Sequence, residues 1–230
     1  MDENEILQRT IGYVQQALKD SEKGHDWFHV WRVYCQANLI AKYEPGDKLV
    51  VRLGALLHDI ADSKFHQGDE TLGPQKANSF LTTLGLPQDI IDQVTTLIKD
   101  ISFHSNLEKE MPKTAELKIV QDADRLDAIG AIGIARAFHY GGYKNREIYN
   151  PDLPPLTSMT ADTYKKSEGP TLNHFYEKLL LLKDKMNTPT GKKMAQSRHE
   201  FLELYLNQFY KEWNEYNQTP VFNPDISTGE

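Results

Sequence analysis

Residues 53–62 read LGALLHDIAD, an apolar run that ends on one imidazole and two carboxylates. Followed backward, it belongs to a helix opening at about Asp47, with Leu49, Leu53, Leu56, Leu57 and Ile60 at helical spacing. His58 lies seven residues after Val51 and four after Gly54, which puts it on the apolar face of that helix. Asp59 is adjacent, and Asp62 sits one turn beyond both. An ionised carboxylate at a helix's inner edge is costly unless it is paired, hydrogen-bonded or coordinated to a metal. Gly54, Ala55 and Ala61 are small enough to let another helix approach closely. A lone His-Asp pair is still most often a satisfied polar contact, so its significance depends on what surrounds it.

The same periodicity runs outward in both directions. Residues 4–19 place Ile6, Leu7, Ile11, Val14 and Leu18 on one face, and a helix opening at the N-cap Asp26 runs through Val30, Val33 and Leu39. Helices are expected over 70–84 and 88–101, divided by Gly85-Leu86-Pro87, and over 115 to about 140, bent near Gly130 or Gly133. Residues 141–168, with Gly141-Gly142, Pro151, Pro154 and Pro155, read as a long irregular segment of the kind that forms lids or is disordered. Helices resume over 170–186 and 190–214, where Leu202, Tyr205, Leu206, Phe209 and Trp213 make a packing stripe. No alternating strand pattern occurs. The expectation is an all-α chain with a single helical domain over 1–216 and a frayed tail over 217–230.

Bulk composition narrows the function. With 33 acidic against 26 basic residues and a net charge of −7, the chain has no global attraction for a nucleic-acid backbone. The single cysteine, Cys35, excludes an internal disulfide framework and a cysteine-rich zinc site. No apolar run is long enough to span a bilayer, and the start MDENEILQRT is no secretory signal, so the expected compartment is the cytoplasm.

Two further motifs give the His-Asp pair company. In LKIVQDADRLDAIG, residues 117–130, Asp124 falls seven residues after Leu117 and four after Val120, again on the buried register. Asp122 and Asp127 flank it and Arg125 follows, which alone is equally a salt-bridge cluster. In GHDWFHVWRV, residues 24–33, His29 stands in the first turn after Asp26. His25 precedes the cap and is out of helical register, which makes it a pocket wall rather than a ligand. Two neutral imidazoles and two carboxylates, His29, His58, Asp59 and Asp124, suit Mn²⁺, Fe²⁺, Zn²⁺, Ni²⁺ or Co²⁺. Four ligands on three helices leave coordination positions open for water and a phosphate oxygen.

The order His29, then His58-Asp59, then a distant Asp124 resembles the HD-domain metal-dependent phosphohydrolase superfamily. GHDWFHVWRV, HDIADSKF and DADRLDAIGAIGIAR look like its YpgQ/YedJ-like bacterial branch, the match extending from about Gly24 to Tyr140. The resemblance implies an HD-domain helical bundle, here with additional C-terminal helices, and a metal held by His29, His58, Asp59 and Asp124. It also implies hydrolysis of phosphate esters or anhydrides, often of nucleotides, and in this branch nucleoside triphosphate pyrophosphohydrolysis. Asp62 occupies the position at which several members carry an acidic residue that orients or deprotonates water. Two-metal members carry paired histidines between the second and last motifs; this chain has only His66 and His104 there, so one metal is expected.

Arg32, Lys64, Arg125 and Arg136 are the cations near these motifs, and Lys64 and Arg32 are the preferred phosphate binders. The sequence reading is therefore a hydrolase with one divalent metal, Mn²⁺ favoured and Mg²⁺, Co²⁺, Ni²⁺, Fe²⁺ or Zn²⁺ allowed. Asp62 and Lys64 are its catalytic residues, and Arg32, Lys64, His25 and Arg125 bind substrate. Its partner is a small phosphorylated molecule, a nucleotide by preference, with neither nucleic acid nor membrane, and a homodimer is left open. The rival readings are a nucleoside monophosphatase, a cyclic or alarmone phosphodiesterase, and a metal- or nucleotide-binding sensor without turnover.

Overall fold

Aspartates open the first three helices. In the computed structural model, α1 (Glu3–Ala17), α2 (Trp27–Ile40) and α3 (Lys48–Leu57) begin on Asp2, Asp26 and Asp47. Each carboxylate accepts from first-turn amides: Asp2 from Glu5, Asp26 from His29, and Asp47 from Leu49 and Val50. Next come α4 (Leu72–Thr83) and α5 (Gln88–Asp100), then α6 (Ala115–Asp127) and α7 (Gly130–Tyr143). The chain ends with a short α8 (Asn173–Glu177), a 3₁₀ turn at Leu179–Leu181 and the long α9 (Pro189–Asn217). The structure describes residues 1–19, 26–61, 69, 71–101, 113–156 and 169–217, and among these there is no strand.

Three sequence expectations shift. The helix expected from 115 to 140 is two helices that break at Ala128-Ile129, where Gly130 takes φ +74, a left-handed conformation open to glycine. A Cβ on Gly133 would overlap the backbone of Ala128, so a second glycine lets α7 fold tightly against the end of α6. The irregular segment starts later than expected, because α7 runs through Gly141-Gly142 to Tyr143, and residues 157–168 of it lie outside the described residues. The helix expected over 170–186 is only α8 and the 3₁₀ turn, interrupted at Lys178 with φ −142 and ψ −56.

Helices α2, α3 and α6 pack on one another and form the centre of the molecule, with α5 and α1 against α3 and with α4 against α5. Gly54 faces Leu97, whose Cδ1 would lie 2.9 Å from an added Cβ, which is the close approach of α3 and α5 that the small residues imply. The buried apolar side chains form one cluster running from Ile6 on α1 to Leu206 on α9.

The C-terminal helix is fastened to α6 by a buried carboxylate. Asp122, fully buried, accepts from the backbone and side-chain nitrogens of Asn187 and from the backbone N–H and hydroxyl of Thr188, at 2.8–2.9 Å. The Thr188 hydroxyl in turn accepts from Gly191 N–H, and Pro189, which lacks an N–H, stands at the first helical position. A Cβ on Gly191 would collide with Asp122 Oδ2. No described helix is long and apolar enough to cross a membrane.

Candidate metal centre

The three motifs meet where α2, α3 and α6 converge. His29 is the third residue of α2, its amide held by the Asp26 cap, and its ring is buried. His58 is not inside α3, as its register suggests, but forms the C-cap just past Leu57. Its Nδ1 lies 2.9 Å from the carbonyl of Ala55, so the ring satisfies one of the orphaned carbonyls at the helix end while turning toward α2. Asp59 follows in the same turn. Asp124 projects from the third turn of α6.

His29 Nε2 lies 3.3 Å from His58 Nε2, 3.8 Å from Asp59 Oδ2 and 3.6 Å from Asp124 Oδ1. His58 Nε2 is 4.0 Å from that same Asp124 oxygen. One donor atom from each of His29, His58 and Asp59 fits within 4.8 Å of the others. The His29, His58 and Asp59 side chains are 2 %, 5 % and 12 % exposed, whereas that of Asp124 is 42 % exposed. Of these four side chains, that of Asp124 is the least covered.

Proton positions decide whether these residues fit a cation. The Ala55 carbonyl can only accept, so His58 Nδ1 carries the proton and its Nε2 a lone pair. His29 Nδ1 lies 2.7 Å from Asp127 Oδ2, and an ionised carboxylate also only accepts. Both Nε2 atoms thus present lone pairs to each other at 3.3 Å, with two carboxylate oxygens beside them. Four acceptor atoms turned toward one another repel, and a cation at their centre resolves the arrangement. Donors about 2.1 Å from one ion stand roughly 3.0–3.4 Å apart, close to the spacing observed here. The residues fit a divalent metal.

Electrostatics agree. Burial holds His29 below the ordinary imidazole range, with help from Arg136 and against the pull of Asp127, which keeps it neutral as a ligand must be. For Asp124, burial acts upward, but the His58 and His29 rings and Arg136 prevail and leave the carboxyl lowered. Asp127 is also buried, yet its hydrogen bonds from His29 and Arg32 and the charge of Arg136 hold it far below the usual carboxylate range.

The other expected site residues divide. Arg32, read as a phosphate binder, turns instead to Asp127, with Nε 2.6 Å from Oδ1 and Nη2 3.0 Å from Oδ2. Geometry favours this: Arg32 lies one turn beyond His29 on α2, so both side chains face the same point of α6. Arg125 donates to the carbonyl of Lys185 at 2.6 Å and lies 3.6 Å from Asp122, bracing the chain that leads into α9. Arg136 reaches back from α7 to Asp127 Oδ2 at 3.0 Å. His25, Asp62, Lys64, His66 and His104 lie outside the described residues. By sequence alone Asp127 is only a charge flanking Asp124. The available signal was its position three residues after Asp124, one turn along the same face of α6.

Comparison with known proteins places this arrangement. The sequence profile of the HD domain matches residues 27–129, from the start of α2 to just beyond α6. The Bacillus subtilis protein YpgQ is 38 % identical over 202 residues, which cover 87 % of this chain and 90 % of YpgQ. The crystal structure of a Bacillus thuringiensis HD-superfamily hydrolase superposes with a TM-score of 0.73 at 40 % identity, covering 93 % of this chain and 99 % of that one. The crystal structure of YpgQ in complex with ADP superposes with a TM-score of 0.74 at 35 % identity, covering 92 % and 97 %. Likeness of that extent, over motifs that supply a convergent His, His-Asp and Asp, shows that this chain belongs to the HD-domain family and is a metal-dependent phosphohydrolase.

Proposed function

We propose that the chain hydrolyses nucleoside or deoxynucleoside triphosphates to the monophosphate and pyrophosphate, at the cluster of His29, His58, Asp59 and Asp124. The observation that carries this reading is the pair of Nε2 atoms 3.3 Å apart, each with its lone pair inward, beside two carboxylates. A divalent cation bound there supplies a Lewis acid for a phosphoryl oxygen and a water acidic enough to react near neutral pH. Manganese is the cation we favour, in a cytoplasmic enzyme.

The chain's own residues supply the rest. Asp124 is the exposed wall, so the substrate enters from its side. Asp62 takes the proton of the attacking water, whose oxygen bonds to the α-phosphorus as the bond to the β-phosphate oxygen breaks and pyrophosphate leaves. Lys64 neutralises charge on the phosphates, and His25 contributes to substrate binding. Arg32 and Arg125, the other two expected substrate binders, are engaged within the protein, Arg32 by Asp127 and Arg125 by the Lys185 carbonyl and Asp122. The complex of YpgQ with ADP supports a nucleotide as the ligand.

The test is to strip the purified protein of metal, reload it with Mn²⁺, Mg²⁺ or Co²⁺, and resolve the products formed from a panel of nucleotides. Pyrophosphate and a monophosphate from triphosphates are expected. Orthophosphate from monophosphates, or opened cyclic nucleotides, would replace the substrate assignment. No turnover by fully loaded protein would favour a sensor.

A further inference from the structure

Behind His29, on the side away from the metal cluster, stands one carboxylate with three hydrogen bonds and a further ion pair. Asp127 is 1 % exposed, and both its oxygens are occupied. Oδ1 accepts from Arg32 Nε at 2.6 Å, and Oδ2 accepts from His29 Nδ1 at 2.7 Å and Arg32 Nη2 at 3.0 Å; Arg136 Nη1 pairs with Oδ2 at 3.0 Å while donating to the Asp127 backbone carbonyl at 3.3 Å. The donors come from α2 and α7 and the acceptor from α6, so three helices meet at this side chain. Two guanidiniums on one buried carboxylate are more positive charge than neutralising it requires. A single arginine would satisfy a structural Asp at this helix joint.

We infer that Asp127 is a positioning residue for the metal: its carboxylate, fixed by Arg32 and Arg136, sets the tautomer and ring orientation of His29. This inference rests on the reading of His29 Nε2 as a metal donor. An imidazole has two neutral tautomers, and only the one protonated on Nδ1 offers a lone pair at Nε2. The bidentate grip of Arg32 fixes the carboxylate plane, and Arg136 holds Oδ2 from the other side, so Oδ2 stays aligned with the ring. A partner that orients a ligating histidine in this way commonly contributes 10–100-fold to metal affinity. Arg32, which by position alone looks like a phosphate binder, then acts on the metal through two intervening side chains. Asp124 and Asp127 divide the work of one helix face: the first meets the cation, the second meets the residue that meets it.

The test uses the full-length, metal-stripped protein and Mn²⁺ titration by calorimetry. Asp127→Asn places an amide NH₂ among donors and is expected to weaken Mn²⁺ binding by about 10–100-fold with helix content unchanged. In the metal-free protein, ¹⁵N spectra of labelled histidine are expected to show the His29 proton on Nδ1 in the parent and on Nε2 in the variant. Unchanged affinity and an unchanged tautomer would overturn the inference. Should Asp127→Asn fail to fold, Arg32→Gln, at a partly exposed side chain, is expected to weaken Mn²⁺ binding several-fold, and undiminished binding overturns the inference equally. His29→Ala separates the two levels. If His29→Ala binds Mn²⁺ as the parent does, the metal-site reading fails; if it does not bind while Asp127→Asn binds normally, only the role of Asp127 fails.

Discussion

At the scale of single residues, the donor set was legible because each member sits at a position that makes no sense without a partner. His58 and Asp59 close an apolar helix, Asp124 lies on the buried register of another, and His29 follows directly on a strong cap. The structure brings them within 3.3–4.0 Å of His29 or His58. What sequence could not show was direction. Arg32 and Asp127 are 95 positions apart, and nothing in either local pattern says that one faces the other. His58→Ala or Asp59→Ala is therefore expected to abolish stoichiometric Mn²⁺ binding and reduce phosphohydrolysis below detection, with the circular dichroism of the parent. A variant that keeps both its metal and full turnover would remove these residues from the site. Asp62 belongs to a different class, since it is proposed to act on water. Asp62→Asn should retain the metal while kcat falls by about 10²–10⁴-fold. Loss of the metal in that variant would make Asp62 a ligand and redraw the coordination sphere.

At the scale of elements, caps and breakers were well signalled and joints were not. Asp26 and Asp47 open their helices as read, because a carboxylate before an apolar period has few other uses. The division between α6 and α7 was blurred, since the apolar period of 115–140 continues across it and only the left-handed φ of Gly130 interrupts the backbone. The start of α9 is legible to within one residue, at 190 against Pro189, but what anchors it is not: its organiser, Asp122, lies 65 residues upstream of Asn187. Asp122 is buried with five donors about it, counting the 3.6 Å approach of Arg125. Asp122→Ala would strand the Asn187 and Thr188 amides and one guanidinium, each at a desolvation cost, and should destabilise the protein by about 3 kcal/mol. Urea unfolding followed at the helical signal measures this. A loss under about 1 kcal/mol would mean that α9 holds its place on α6 by apolar contacts alone. Because α6 carries Asp124 and Asp127, the same variant should also bind Mn²⁺ less tightly.

At the scale of the molecule, the buried ionisable centre makes the stability of the fold depend on pH. His29, whose ordinary value is 6.5, is held lower when folded, chiefly by burial. On acidification below about pH 6.5 the unfolded chain takes up that proton and the folded chain does not, so the stability of the metal-free protein begins to fall there. The sign is the same for the two carboxylates. Asp124 and Asp127 are lowered from 3.8, so the stability they contribute is present above about pH 4 and is lost as pH falls further toward their folded values. Lys113 and Lys185 are also lowered, but from 10.5, and they remain protonated in both states across this range. The expected profile for metal-free protein is a plateau near neutrality, a first decline starting at about pH 6.5 and a second, steeper one below about pH 4. Thermal melts at constant ionic strength between about pH 2 and 8 measure it. His29→Gln, which keeps a hydrogen-bonding side chain and removes the titration, should lose the first decline and keep the second. Mn²⁺ at 100 times its Kd adds about 2.7 kcal/mol at neutral pH. That increment should shrink as protons compete for the same imidazole nitrogens. If the first decline persists unchanged in His29→Gln, another group sets it, and the buried imidazole is not the acid-sensitive part of the fold.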